Sequence, residues 1–251
     1  MDLDRLKEET VELNVWASSC MVALANRRPV AILVGAKREG VTLVQRIGVH
    51  PEYARRGHGH HLMRSLSAKL AIMGPPRLLA EVPADAGLEP FFERVGYHKI
   101  KQLCGFSLAA PLPPLPSSDA IQTLPAEEAL QQRHLWPTEP AAWERAMSGL
   151  VRRQKKLSCL ALLAAEGIAA VLLYWRHPYA RRLEVLRFGG GDRERSPLYH
   201  HLLLRKLYEL ERDTIHIPKL DESEIPFRVL SASGFEKNRI HDLYEAHAAA
   251  Y

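Results

Sequence analysis

The chain has 251 residues, 47% hydrophobic and 25% charged, which suits one large or two small packed domains and excludes a disordered or low-complexity protein. Its formal charge of +5 is mild and is not gathered into a basic run, so it suits a small polyanionic ligand at least as well as nucleic acid; the arginine pairs Arg152-Arg153 and Arg181-Arg182 make no tract. No apolar run has the length of a membrane span, the start MDLDRLKEET is too charged for a signal peptide, and Cys20, Cys104 and Cys159 show neither paired nor metal-ligand spacing. A cytoplasmic, reducing setting with no membrane partner is expected, with the thiols in the core.

In chain order, Leu3, Leu6, Val11 and Val15 predict a helix from Asp2 to about Trp16. Ser19 to Gly35 reads as an apolar hairpin turning at Asn26 to Pro29. Leu43, Val44, Ile47 and Val49 then predict a buried strand, and Leu62, Met63, Leu66 and Leu70 a helix, with the turn HPEYARRGHGH between them. A further strand, RLLAEV at Arg77 to Val82, is followed by FFERVGY at Phe91 to Tyr97. PLPPLPSS, Pro111 to Ser118, can hold neither helix nor central strand and reads as a semi-rigid linker. Beyond it a helix is predicted from Thr138, a plausible N-cap, through Trp143, Met147, Leu150 and Val151.

The rest of the chain repeats the first part. SCMVALANRRPVAILVG at Ser19 to Gly35 aligns without a gap on SCLALLAAEGIAAVLLY at Ser158 to Tyr174, HHLMRSLSAKL at His60 to Leu70 on HHLLLRKLYEL at His200 to Leu210, and FFERVGYHK is echoed by RVLSASGFEK. Two related domains are therefore expected, 1–112 and 119–251, joined by 113–118.

The strand-loop-helix at Val41 to Lys69 is the part with chemical content. Unpaired N–H groups at a helix mouth, with the positive end of the helix dipole behind them, form an anion site. Gly57 and Gly59 let the backbone approach a ligand, and Arg55 and Arg56 add charge suited to a phosphate. In the second copy, Ser196, Pro197, Leu198 and Tyr199 stand opposite Arg56, Gly57, His58 and Gly59. Proline has no N–H to offer and the added Cβ atoms crowd the approach, so this copy is expected to have lost the ligand. Gly189 to Gly191, ending LEVLRFGGG, remain available to line some other ligand. His58, His60 and His61 do not converge readily on one ion and have no carboxylate beside them, so no metal is expected.

The string IGVHPEYARRGHGHHLM resembles the acetyl-CoA motif of the GNAT superfamily of N-acetyltransferases, and FFERVGY resembles that family's aromatic segment after the fifth strand. The resemblance implies an α+β (α/β) fold of two tandem GNAT-like domains, each a mixed, mostly antiparallel sheet with helices on both faces. It implies acetyl-CoA as cosubstrate, held at Ile47, Gly48, Val49, Arg55, Arg56, Gly57, His58, Gly59, His60, Asp85 and Phe92. It further implies acyl transfer to a primary amine of a small molecule, peptide or protein by direct attack, with the Val49 N–H facing the thioester oxygen and Glu81 as base. Ala54 replaces the family's usual Gln or Arg, and Asp85 its frequent Asn. Phe92 stands where the family commonly has a Tyr acid, which leaves a noncatalytic CoA-binding sensor or scaffold as the alternative. The N-terminal copy also lacks the family's second helix before the first hairpin, so the second domain or a homodimer partner is expected to complete the acceptor wall.

Overall fold

The computed structural model describes residues 7, 10–108, 120–136, 142–176, 182–190, 195–211 and 214–249. The Pro111 to Ser118 linker and Thr138 lie outside the described residues. In chain order the first elements are β1 (Met21–Ala25), β2 (Arg28–Arg38), β3 (Val41–Val49), α1 (His58–Met73), β4 (Arg77–Pro83), α2 (Glu89–Arg94) and β5 (His98–Leu108). Then come β6 (Ile121–Pro125), α3 (Ala126–Gln131), α4 (Met147–Arg152), β7 (Leu157–Ala164), β8 (Gly167–Arg176) and β9 (Arg182–Gly190). The chain closes with α5 (Ser196–Glu211), β10 (Thr214–Leu220), α6 (Phe227–Ala232) and β11 (Phe235–His247).

Packing divides the chain into unit 1, residues 1–102 with 241–251, and unit 2, residues 103–240. This is not a contiguous cut at the proline-rich stretch. Strand β5 leaves unit 1 after Gln102, and β11 enters it at His241. In unit 1 the last residues of β11 lie antiparallel on β4, from His241 opposite Pro83 to His247 opposite Arg77. In unit 2 the later part of β5 lies antiparallel on β10, with Ile217 opposite Phe106. Each unit is thus completed by a strand that begins in the other.

The sheet of unit 1 runs β1, β2, β3, β4, β11, β5, with β3 and β4 parallel and the pairs β1–β2, β2–β3 and β4–β11 antiparallel. The first hairpin turns through Asn26 and Arg27, both in the left-handed region that a tight hairpin of this hand requires. Leu62, Met63, Leu66 and Leu70 recur at helical spacing and are buried with Leu33, Val44, Leu78 and Ala80 of the sheet and Phe92 of α2. Each such side chain contributes about 1.5–3 kcal/mol on burial. The N-terminal helix expected to reach Trp16 ends at Glu12, because Asn14 turns the chain in a left-handed conformation and Val15 bridges to Ala36 of β2.

Unit 2 has the order β6, β7, β8, β9, β10, β5, β11. Alternation along its strands builds two cores. Leu160, Leu162 and Leu172 pack with Leu203, Leu204 and Leu207 of α5, while Cys159, Ala161, Val171 and Leu173 pack with Ala129 of α3 and Leu150 of α4. Cys104 and Cys159 are buried thiols and Cys20 is half-buried; burial pushes the Cys159 thiol up to about 12. The helix expected from Thr138 is shorter. Trp143 to Arg145 form a single 3-10 turn, and Ala146 takes an extended conformation that separates it from α4.

Candidate functional site

The site begins with one extra residue. Strands β2 and β3 pair Val34 with Arg46 but Gly35 with Val44, so Gln45 bulges out of the ladder. A bulge bends and twists its strand. The parallel ladder between β3 and β4 ends at Val44 opposite Ala80, although β3 continues to Val49 and β4 to Pro83. The two strands therefore fork, and among the described residues the inner backbone edge of each has no ladder partner past that point.

Val49 lies at the end of the fork. The next residue, His50, donates its N–H back to Val30 O at 2.8 Å. Because successive N–H groups of an extended strand point to opposite sides, the Val49 N–H points into the fork. Ile47 and Val49 set their side chains against the core under α1, while Gly48 is exposed on the other face, where a Cβ would lie 3.9 Å from Ile32. Glu81 is half-buried on the opposite prong, between Ala80 and Val82, whose side chains enter the α1 core, so its carboxylate is on the face away from α1.

The loop lies beyond the Val49 end. Pro51 to Tyr53 form a 3-10 turn, Arg55 and Gly57 take left-handed conformations with φ of 57° and 85°, and Gly57 caps α1. The first amide of the helix ladder is His61 N–H, donated to Gly57 O at 2.9 Å. Among the described residues the amides of Arg55, Arg56, Gly57, His58, Gly59 and His60 have no backbone acceptor. Arg55, Arg56 and Gly57 are exposed, His58 and His60 half-buried. The Arg56 guanidinium lies 5.4 Å from the Tyr53 ring. A run of donors at a helix start is the kind of arrangement that suits phosphate groups.

The two glycines serve different ends. Gly57 supplies a left-handed backbone with open space around it. Gly59 is buried, and a Cβ there would sit 3.4 Å from Phe91 and 3.5 Å from Val49. It lets the helix mouth close on the end of β3.

Asp85 is in an exposed 3-10 turn just past β4. Phe92 is buried, with Tyr97 edge-on at 5.6 Å and Tyr244 stacked at 5.2 Å. It is Phe91 that packs over Gly59. Sequence reading missed Phe91, the Gln45 bulge and Tyr244. The doublet Phe91-Phe92 on a short helix hinted at the first; Tyr244 comes from β11, more than a hundred residues later, and no local pattern points to it.

Unit 2 has the same frame with different contents. Leu173 pairs with Arg187 but Tyr174 with Val185, so Leu186 is the bulged residue, and the parallel ladder of β9 and β10 ends at Glu184 opposite His216. Aligning the bulges puts Gly189 opposite Gly48 and Pro218 opposite Glu81. Helix α5 starts at Ser196, two residues earlier than α1 by the repeat alignment, and Tyr199 N–H is donated to Arg195 O at 3.1 Å, whereas Gly59 N–H of unit 1 has no such acceptor. Gly189 is packed, not open: a Cβ there would lie 2.7 Å from Trp136 and Val171, and its carbonyl is 3.3 Å from His200 Nε2. This removes Gly189 from the glycines that could line a ligand; Gly191 lies outside the described residues. The buried His200 also packs 4.9 Å from the Phe188 ring, and burial lowers its pKa to about 4, against a smaller upward effect of the Gly189 carbonyl.

Among the described residues no group of three or more His, Cys, Asp or Glu is placed to hold a metal ion, and no helix is long and apolar enough to cross a membrane.

Residues 16–99, which contain the fork and the loop, match the acetyltransferase (GNAT) domain family. The same fold is found in a tandem GNAT protein from the clavulanic acid biosynthesis pathway, at 17% identity over 92% of this chain and 82% of that one, with a TM-score of 0.63. It is found again in a GCN5-related N-acetyltransferase from Sphaerobacter thermophilus, at 12% identity over 91% and 80%, also with a TM-score of 0.63. Residues 16–99 are thus similar to GNAT acetyltransferase domains, and over most of its length the chain shares the fold of a tandem GNAT protein.

Proposed function

We propose that the protein is an acetyl-CoA-dependent N-acetyltransferase that acetylates a primary amine by direct attack, with unit 1 carrying the reaction. One observation supports this most: the fork made by the Gln45 bulge leads to a run of amides, Arg55 to His60, that have no backbone acceptor among the described residues. Those amides, with Arg55 and Arg56, would hold the diphosphate. The fork edges would receive the extended arm, and acetyl-CoA would supply the acyl group as a thioester.

The residues present fit the needs of that transfer. The Val49 N–H points where a thioester oxygen would gain charge, the role of an oxyanion donor. Glu81, on the facing prong, accepts the proton that the attacking amine must lose, directly or through water. A C–N bond forms, the C–S bond breaks, and the thiolate leaves. Phe92 has no proton to give. A thiol pKa of roughly 8.5 makes the thiolate an adequate leaving group near neutral pH, and water protonates it afterwards.

The packing of Phe92 between Tyr97 and Tyr244 favours one other reading, a chain that binds acetyl-CoA without turnover. Thiol release from acetyl-CoA across a panel of amines separates the two. Turnover on any acceptor, reduced in Glu81→Gln at neutral pH, supports the enzyme; tight binding with no turnover on any amine supports the sensor.

A further inference from the structure

The fork of unit 2 is filled by the protein itself. Arg145, fully buried, comes from the 3-10 turn Trp143 to Arg145 that precedes α4. Its Nη1 donates to Val185 O of β9 at 3.1 Å and to Pro218 O of β10 at 3.3 Å. Those carbonyls lie just past the point where the β9–β10 ladder ends, one on each prong. The rest of the guanidinium is held by Glu224, with Nη2 to Oε2 at 2.9 Å and Nε to Oε1 and Oε2 at 3.1 and 3.2 Å. Asp221 N–H donates to Glu224 Oε1 at 3.4 Å. Arg187 Nη1 donates to the Arg145 carbonyl at 3.2 Å, and its guanidinium lies 5.3 Å from the Trp136 ring.

We infer that Arg145 is a built-in occupant of the unit 2 fork, its guanidinium bridging strand carbonyls that an inserted ligand would otherwise meet, so that the chain holds one acyl-CoA and unit 2 needs none to stay closed. Two features make the arrangement self-consistent. A charge buried in the fork is tolerable only when paired and fully hydrogen-bonded, and Arg145 has both a carboxylate and two carbonyls. Pro218, opposite Glu81 in the aligned frame, removes the base while leaving a carbonyl for the guanidinium.

The inference rests on reading the unit 1 fork as the cofactor site, and two measurements keep the claims apart. In native mass spectrometry of the full chain with acetyl-CoA, one molecule binds, and the Gly57→Pro, Gly59→Tyr double variant loses it. Two bound molecules, or one that survives those substitutions, would overturn the inference; none bound to the parent would instead overturn the proposed function. Thermal melting tests the plug without any ligand. Arg145→Met strands the Glu224 carboxylate and lowers the melting temperature by roughly 10 °C, and adding Glu224→Met regains part of the loss. A single variant that melts with the parent contradicts the plug.

Discussion

The two units use one device for opposite ends. In each, a single bulged residue, Gln45 or Leu186, bends a strand away from its parallel neighbour and opens a fork. Unit 1 leaves its glycine loop exposed at Arg55, Arg56 and Gly57. Unit 2 inserts Arg145 between the prongs, starts its helix earlier and gives the Tyr199 amide to a carbonyl of its own chain. The difference teaches that the frame alone is not a binding site: the same fork is a cleft or a piece of core according to whether one buried side chain fills it.

Transplanting unit 2's residues into unit 1 should break the comparison most severely. Gly57→Pro, His58→Leu and Gly59→Tyr together remove one amide, abolish the left-handed turn and crowd the helix mouth, so acetyl-CoA affinity measured by calorimetry should fall about 100-fold or more. Next comes acid stability. His200 is held neutral, its folded pKa lies below the unfolded value, and the stability it contributes is full above pH 6.5 and is lost as pH falls toward about 4. Roughly 3 kcal/mol should disappear over that window, and His200→Gln should flatten that part of a denaturation profile.

Smaller effects separate the equivalent glycines. Gly189→Ala pushes a methyl to 2.7 Å from Trp136 and Val171 and should cost about 1–3 kcal/mol in chemical denaturation, whereas Gly48→Ala meets only Ile32 at 3.9 Å and should cost about 0.5 kcal/mol or less. Glu81→Gln should reduce turnover about tenfold near pH 7, with a smaller deficit at high pH where the amine is already neutral. An unchanged pH profile removes Glu81 from the mechanism.

Much of this was legible in the chain because its causes are local. The hairpins announce themselves by apolar runs and turn residues, α1 by Leu62, Met63, Leu66 and Leu70, and the loop by glycines needed where φ is positive or the backbone is packed close. What was not legible depends on distant partners. A bulge is a property of two strands, and Gln45 carries no mark of it. The handover of β5 and β11 between units depends on pairings more than a hundred residues apart, so a fragment ending at residue 112 would lack the strand that lies on β4. Arg145, in the sequence WERAM, resembles any surface arginine until Glu224 and the two strand carbonyls are brought to it. The early end of the first helix was hidden for a different reason: the periodicity continued to Val15 while the backbone at Asn14 had already turned.

Amide hydrogen exchange of the full chain with and without acetyl-CoA bears most directly on the contrast between the forks. Slowed exchange from Arg55 to His60 and at Val49, with no change from Arg195 to His200, is the expected result. Exchange that stays the same across the Arg55 to His60 loop, or slows at the start of α5 instead, would contradict it.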